Sequence, residues 1–253
     1  MRFKEFIREA RHREDISIEK TMELLEANCK DAMENFDSPL WRGSRQMSEE
    51  SYLVTGEAGG RRSANTQNYY TLILDHFLPN YGYPKRSKSI ICANNSNRGY
   101  AMGYGTLYAI FPYDGVKIGV CPDKDMWYTH VTVGEAKTKM IQDWNEIFRS
   151  LDINDDSYVD FKNSVISTMN SDKMKNGHHS GVLYLLDAFG SNPTKVETVL
   201  KDAYNPEGMK MHLATSADIG KYEDKAREIW ISRKCIAIRA DIWEKMSDDR
   251  NIR

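Results

Sequence analysis

Apolar residues along the chain follow two different periods, and the switch between them divides it. After Ser17, the residues Ile18, Met22, Leu25, Cys29, Ala32 and Phe36 recur every three or four positions. That spacing predicts one amphipathic helix, with Ser17 as its N-cap and Asp37-Ser38-Pro39 as its end. Residues 38–130 change character. "LILDHFL" keeps a helical pattern, whereas "SIICA", "TLYAIF" and "VKIGV" are short, β-branched or aromatic, and bounded by Gly, Pro and Asn. They predict strands, and "PYDG" between the last two predicts a tight turn. "EAGGRRSANTQN" is polar and Gly-rich and reads as a mobile loop.

From 134 to 190 the helical period returns. Ala136, Met140, Trp144, Ile147 and Leu151 form one stripe, and Phe161, Val165 and Met169 begin another. From 191 to 253 the tail "EIWISRKCIAIRADIW" alternates as two strands joined at "SRK". The expected class is therefore α+β. The expected organisation is a single domain over 1–253: N-terminal helices to 37, a first half of a β core over 38–130, a helical insertion over 134–190, and a second half over 191–253.

Composition narrows the function classes. The 253 residues carry 35 Lys+Arg against 37 Asp+Glu, a net charge of −2, so no basic excess marks a nucleic-acid coat. Cys29, Cys92, Cys121 and Cys235 lie far apart without a C-x-x-C pair, which points to reduced thiols rather than a disulfide frame or a zinc knuckle. The charged N-terminus has no apolar signal region and no run reaches membrane-spanning length, so a cytoplasmic protein without membrane contact is expected.

Several stretches suggest chemistry. "LDINDDSYVDFKN" places Asp152, Asn154, Asp156, the Tyr158 carbonyl and Asp160 at calcium-loop spacing. Ser157 stands where the loop needs glycine, and Asn163 where it needs glutamate. An acidic turn capping the helix from Tyr158 is the favoured reading. In "NGHHSG" the adjacent His178 and His179 point apart on any regular element, so a polar loop is favoured over a metal site. "NRGYAMGYGT" matches neither the P-loop nor the dinucleotide fingerprint and reads as a short helix leading into a strand.

Three further motifs fall in order: "LWRGS" around Arg42, "PKRSKSIICAN" followed by "AMGYGTLYAIFPYDG", and "AREIWISRKCIAI" around Glu228. In this order they resemble the ADP-ribosyltransferase superfamily of the arginine–serine–glutamate type, over roughly residues 18–240. "RSKS" with "YG", "YAIFP" and "DG" also resembles uncharacterised bacteriophage proteins. The first resemblance implies a split β-sheet core and NAD as substrate, with no metal expected. It implies that Arg42, with Gly43 beside it, holds an NAD phosphate through its planar guanidinium. Ser89 would orient the glutamate, with Ser87 and Asn94 as alternatives under shifted alignments. Glu228 would stabilise the cationic sugar as nicotinamide leaves, and Tyr104 or Tyr100 would stack on nicotinamide. Ala226 stands where arginine-modifying members carry a second glutamate, which turns the expected acceptor away from arginine and leaves another side chain of a host protein, a nucleic-acid base or water open. The alternative is a non-catalytic phage or bacterial interaction protein on the same scaffold, binding a host protein. Against both stands the plain reading of each motif: an Arg-Gly surface turn, and a glutamate exposed at the start of an apolar strand.

Overall fold

A computed structural model of the chain describes residues 13–35, 39–45, 49–54, 68–126, 148, 153, 155–170, 194–232 and 234–251. The chain divides into two compact units, one comprising residues 1–61, 86–126 and 211–253, the other residues 62–85 and 127–210. The class is α+β. The expected histidine loop at 176–181, the stripe from Ala136 to Leu151 and the "EAGGRRSANTQ" stretch lie outside the described residues, apart from Phe148.

The first unit is built on one antiparallel sheet. Its strands are β1 (Arg13–Asp15), β2 (Leu40–Ser44), β3 (Ser51–Val54), β4 (Ser89–Ala93), β5 (Thr106–Pro112), β6 (Lys117–Val120), β7 (His212–Thr215), β8 (Glu228–Ser232) and β9 (Cys235–Arg239), in the spatial order β1-β3-β9-β5-β2-β4-β8-β6-β7. The strands expected at 89–93, 106–111 and 116–120 are all present. Most ladders run four or five pairs, but β2 meets β4 only at Trp41↔Ala93. The sheet therefore has a seam in its middle, with β5 and β9 on one side and β8 and β6 on the other.

Two-residue alternation sorts the side chains. One face carries Leu40, Tyr108, Ile110, Ile90, Cys92, Ile229, Ile231, Ile118 and Val120 in one apolar cluster. The other carries Trp41, Ala93, Ala109, Phe111, Ile236 and Ile238, covered by helices. Each fully buried isoleucine contributes about 1.5–3 kcal/mol, so the central strands are the anchor of this unit.

The covering helices are α1 (Ile18–Asn28), α2 (Lys30–Asn35), α4 (Arg98–Met102) and α7 (Ala240–Asn251), while α3 (Tyr69–Phe77), α5 (Tyr158–Met169) and α6 (Lys195–Ala203) belong to the second unit. Ser17 caps α1 as expected, its side chain accepting from the Lys20 N–H. The single helix expected up to residue 36 breaks at Cys29, and the break has a use. The Asn28 carbonyl accepts the Asp114 N–H at 2.7 Å and the Asp31 N–H donates to Asp114 Oδ1 at 2.9 Å, so the Pro112–Gly115 turn is docked onto it. The expected strand character of "ADIW" stops at Arg239. From Ala240 the chain is helical, and Trp243 packs on Phe111 with ring centres 4.6 Å apart.

In the second unit Tyr69, Phe148 and Phe161 pack ring against ring, with centres 4.9 and 5.1 Å apart along the series. The second half of the β core expected over 191–253 is shorter than that: Lys195–Ala203 is a helix of this unit, and the sheet resumes only at His212. Ser157 caps α5 by accepting from the Asp160 N–H at 3.1 Å. This is the capping arrangement expected of the acidic turn; Asp152 and Asn154 lie outside the described residues.

Candidate functional site

Glu228 opens β8, yet it is not an exposed first residue: only 6% of its surface is accessible. Alternation places it on the same face as Trp230, and both belong to a buried polar group. Oε1 accepts from Arg86 Nε at 3.2 Å, Arg86 Nη2 at 3.1 Å and Trp230 Nε1 at 2.6 Å. Oε2 accepts from the Met126 N–H at 3.2 Å. Arg86, itself 8% exposed, lies on a single 3-10 turn before β4, and its guanidinium carbon sits 5.7 Å from the Trp230 ring centre. The Glu228 backbone is held as tightly. Its N–H donates to Asp123 O and its carbonyl accepts from the Cys121 N–H. A buried charge is tolerated only when paired and hydrogen-bonded, and both conditions hold here.

The loop leading into Glu228 is fixed by the turn after β4. Asn94 is fully buried. Its Nδ2 donates to the carbonyls of Tyr222 and Lys225, its Oδ1 accepts the Arg227 N–H, and its own N–H donates to the Arg227 carbonyl. Asn97 Nδ2 donates to the carbonyls of Lys124 and Arg227. Two asparagines thus tie the 121–126 loop and the 222–227 loop to the end of β4. The register explains why Asn94 occupies this place: Ala93 pairs with Glu228, whereas Ser89 pairs with Ser232 at the opposite end of the ladder. Ser87 lies farther back, on the turn before β4. Of the three candidates for the serine position, Asn94 is the one beside the Glu228 segment, and its side chain holds backbone rather than the carboxylate.

Arg42 lies on β2 opposite Tyr108, on the face of Leu40 and Tyr108, while Glu228 projects from the other face with Trp41 and Trp230. Arg42 Nη1 donates to the Ile91 carbonyl at 2.9 Å, reaching across the seam between β2 and β4. Gly43 has a packing reason of its own. A Cβ there would stand 1.9 Å from the Ala101 carbonyl oxygen, so glycine is what lets α4 lie against β2.

Tyr100 and Tyr104 stand at the end of α4, Tyr104 being 46% exposed. Their rings meet nearly edge to face at 5.5 Å, and a hydrogen-bond chain runs from Tyr104 OH to Tyr100 OH to Asp125 Oδ2. Burial, then the bonds from Tyr104 and to Asp125, push the Tyr100 phenol well above its ordinary value. Asp125 adjoins Met126, so this pair borders the loop that feeds Oε2. Cys121, in the same loop, is a buried thiol pushed up by burial and by the nearby Glu228 charge. Burial raises Cys29 to about 12. Neither is a nucleophile at neutral pH. Among the described residues no group of three or more His, Cys, Asp or Glu side chains is placed to hold a metal ion. Among them, too, no helix is long and apolar enough to cross a membrane.

Arg86 and Trp230 were not singled out by sequence reasoning. Trp230 had a signal, since Glu-Ile-Trp puts it two residues from Glu228 and hence on the same face. Arg86 had none, because its contact spans 142 positions. Compared with known proteins, the chain matches no family model, no curated sequence and no solved structure.

Proposed function

We propose that the protein is an NAD-dependent ADP-ribosyltransferase, cleaving the nicotinamide–ribose bond and passing ADP-ribose to a macromolecular acceptor. The supporting observation is the strand arrangement. The strands bearing Arg42, the serine motif and Glu228 are neighbours in that order, β2-β4-β8, and a one-pair seam separates the first two. This is the kind of split core that the resemblance implies. In this reading Glu228 faces the developing sugar cation through Oε2, the less occupied of its two oxygens. Arg42 stands on the opposite face of the sheet from Glu228, so in this reading the NAD phosphates fall to other residues. Tyr100 and Tyr104 offer exposed ring faces beside the loop that holds Glu228.

A second reading, a non-catalytic interaction protein on the same scaffold, is favoured by a different observation. Glu228 is buried and engaged on both oxygens, and Arg42 projects from the opposite face. One assay separates the two. Nicotinamide release from NAD is followed with purified protein, with and without cell lysate as a source of acceptor. The transferase releases nicotinamide and loses about 10²–10³-fold of that rate in Glu228→Gln, the cost typical of removing one electrostatic stabiliser. A melt of the variant must accompany the measurement, because the carboxylate is buried. Wild-type protein that neither binds nor cleaves NAD leaves the binding protein.

A further inference from the structure

We infer that Arg86 is the positioning residue of the Glu228 site, taking Oε1 so that Oε2 is the oxygen presented to substrate. The inference rests on the transferase reading and names the group that does the work the resemblance gives to a serine.

The occupancy of the carboxylate is lopsided. Its two oxygens offer about four lone-pair sites. Oε1 accepts three N–H donors, from Arg86 twice and from Trp230, while Oε2 accepts one, from the Met126 backbone. Arg86 anchors Oε1 through both Nε and Nη2, and with the Met126 N–H on Oε2 both carboxylate oxygens are held, which fixes its orientation. The indole N–H is itself immobile, because Trp230 is fully buried. Oε2, with one backbone donor, retains acceptor capacity for a hydroxyl.

The serine candidates are not placed to do this. Ser89 pairs with Ser232 at the far end of the β4–β8 ladder. The Asn94 amide is spent on the backbone of Tyr222, Lys225 and Arg227. Stability does not explain the pair either. Buried ion pairs are commonly no more stabilising than apolar side chains of similar volume, and the surrounding face of the sheet is apolar.

The test uses the full chain and steady-state nicotinamide release from NAD. Arg86→Lys keeps the charge beside Glu228 but gives up the two-point grip. The expected result is a fall in kcat of about 10–100-fold with KM for NAD within about twofold, since misplacement on the ångström scale costs that much without touching substrate binding. Trp230→Phe keeps a ring and removes one Oε1 donor, and should lower kcat by about tenfold with KM again unchanged. Should Arg86→Lys fail to give a cooperative melt, Trp230→Phe decides. Wild-type kcat in a folded variant, or a change confined to KM, overturns the positioning role while leaving the transferase reading intact. Absence of nicotinamide release by the wild type overturns both.

Discussion

Replacing Arg86 by Met should destabilise the sheet unit heavily, and replacing its partner as well should recover part of the loss. Met fills much of the guanidinium stem's volume but donates nothing. Glu228 would then be a carboxylate at 6% exposure, held only by the Trp230 and Met126 N–H groups. Leaving one member of a buried pair costs about 3–5 kcal/mol. For a chain of this size each kcal/mol lowers Tm by about 2–4 °C, so a drop of roughly 6–20 °C is expected. Glu228→Gln should cost a similar amount, because it strands the Arg86 cation. In the double variant neither charge remains, so its loss should fall short of the sum of the single losses by at least about 2 kcal/mol. Urea unfolding followed by tryptophan fluorescence suits the question, since Trp230 is buried within the contact and reports on the sheet. Arg86→Met within about 1 kcal/mol of wild type, or two losses that simply add, would show that the pair does not carry the energy assigned to it.

Asn94→Ala should cost about 2–4 kcal/mol, because it orphans the Arg227 N–H and two loop carbonyls; thermal melts check the magnitude, and faster proteolysis within 222–227 checks the place. Gly43→Ala should lower stability by about 1–3 kcal/mol or more, since the new methyl meets the Ala101 carbonyl rather than a flexible side chain; an unchanged melt would disprove the close approach. In the helical unit His76 stacks on Tyr158 at 3.7 Å, and burial, outweighing the opposing pull of Glu197, lowers its pKa below 6.5. The folded state then binds fewer protons than the unfolded one, so this contribution is present above about pH 6.5 and lost as the pH falls through the folded value. His76→Phe should flatten that part of the Tm-against-pH curve. Millimolar calcium should leave Tm unchanged, whereas Ser157→Ala should cost about 1 kcal/mol as a lost cap; a calcium-dependent rise of several degrees would refute the reading of the acidic turn.

The strands were legible where local sequence decides them. Ile90, Ile110 and Ile231 lie in β-branched runs bounded by turn residues, and the Ser17 and Ser157 caps follow from nearest neighbours. What escaped was decided at a distance. The helix break at Cys29 depends on Asp114, a partner some eighty positions away. The short strands β1, β3 and β7 have little pattern of their own and exist because β3, β9 and β6 respectively offer them an edge. At the candidate site, Glu228 was named from its motif, but its burial was not foreseen. A carboxylate before an apolar strand looks solvent-exposed until Arg86 is known to reach it. Ser89 looked the better orienting residue because of its chemistry, and only the register shows that it stands four residues too early.

The threading of the sheet has a consequence for the order of synthesis. β9 is inserted between β3 and β5, and β8 between β4 and β6, although both are made after the segment that forms the helical unit. At about 5–20 residues per second, on the order of ten seconds separates Val120 from Glu228 on the ribosome. For that interval β3, β4, β5 and β6 are nascent strands with open edges, able to pair with other chains. Two interior strands are thus the last to arrive, and a holding chaperone that covers those edges should raise the yield of native protein far more than one that acts on the finished chain.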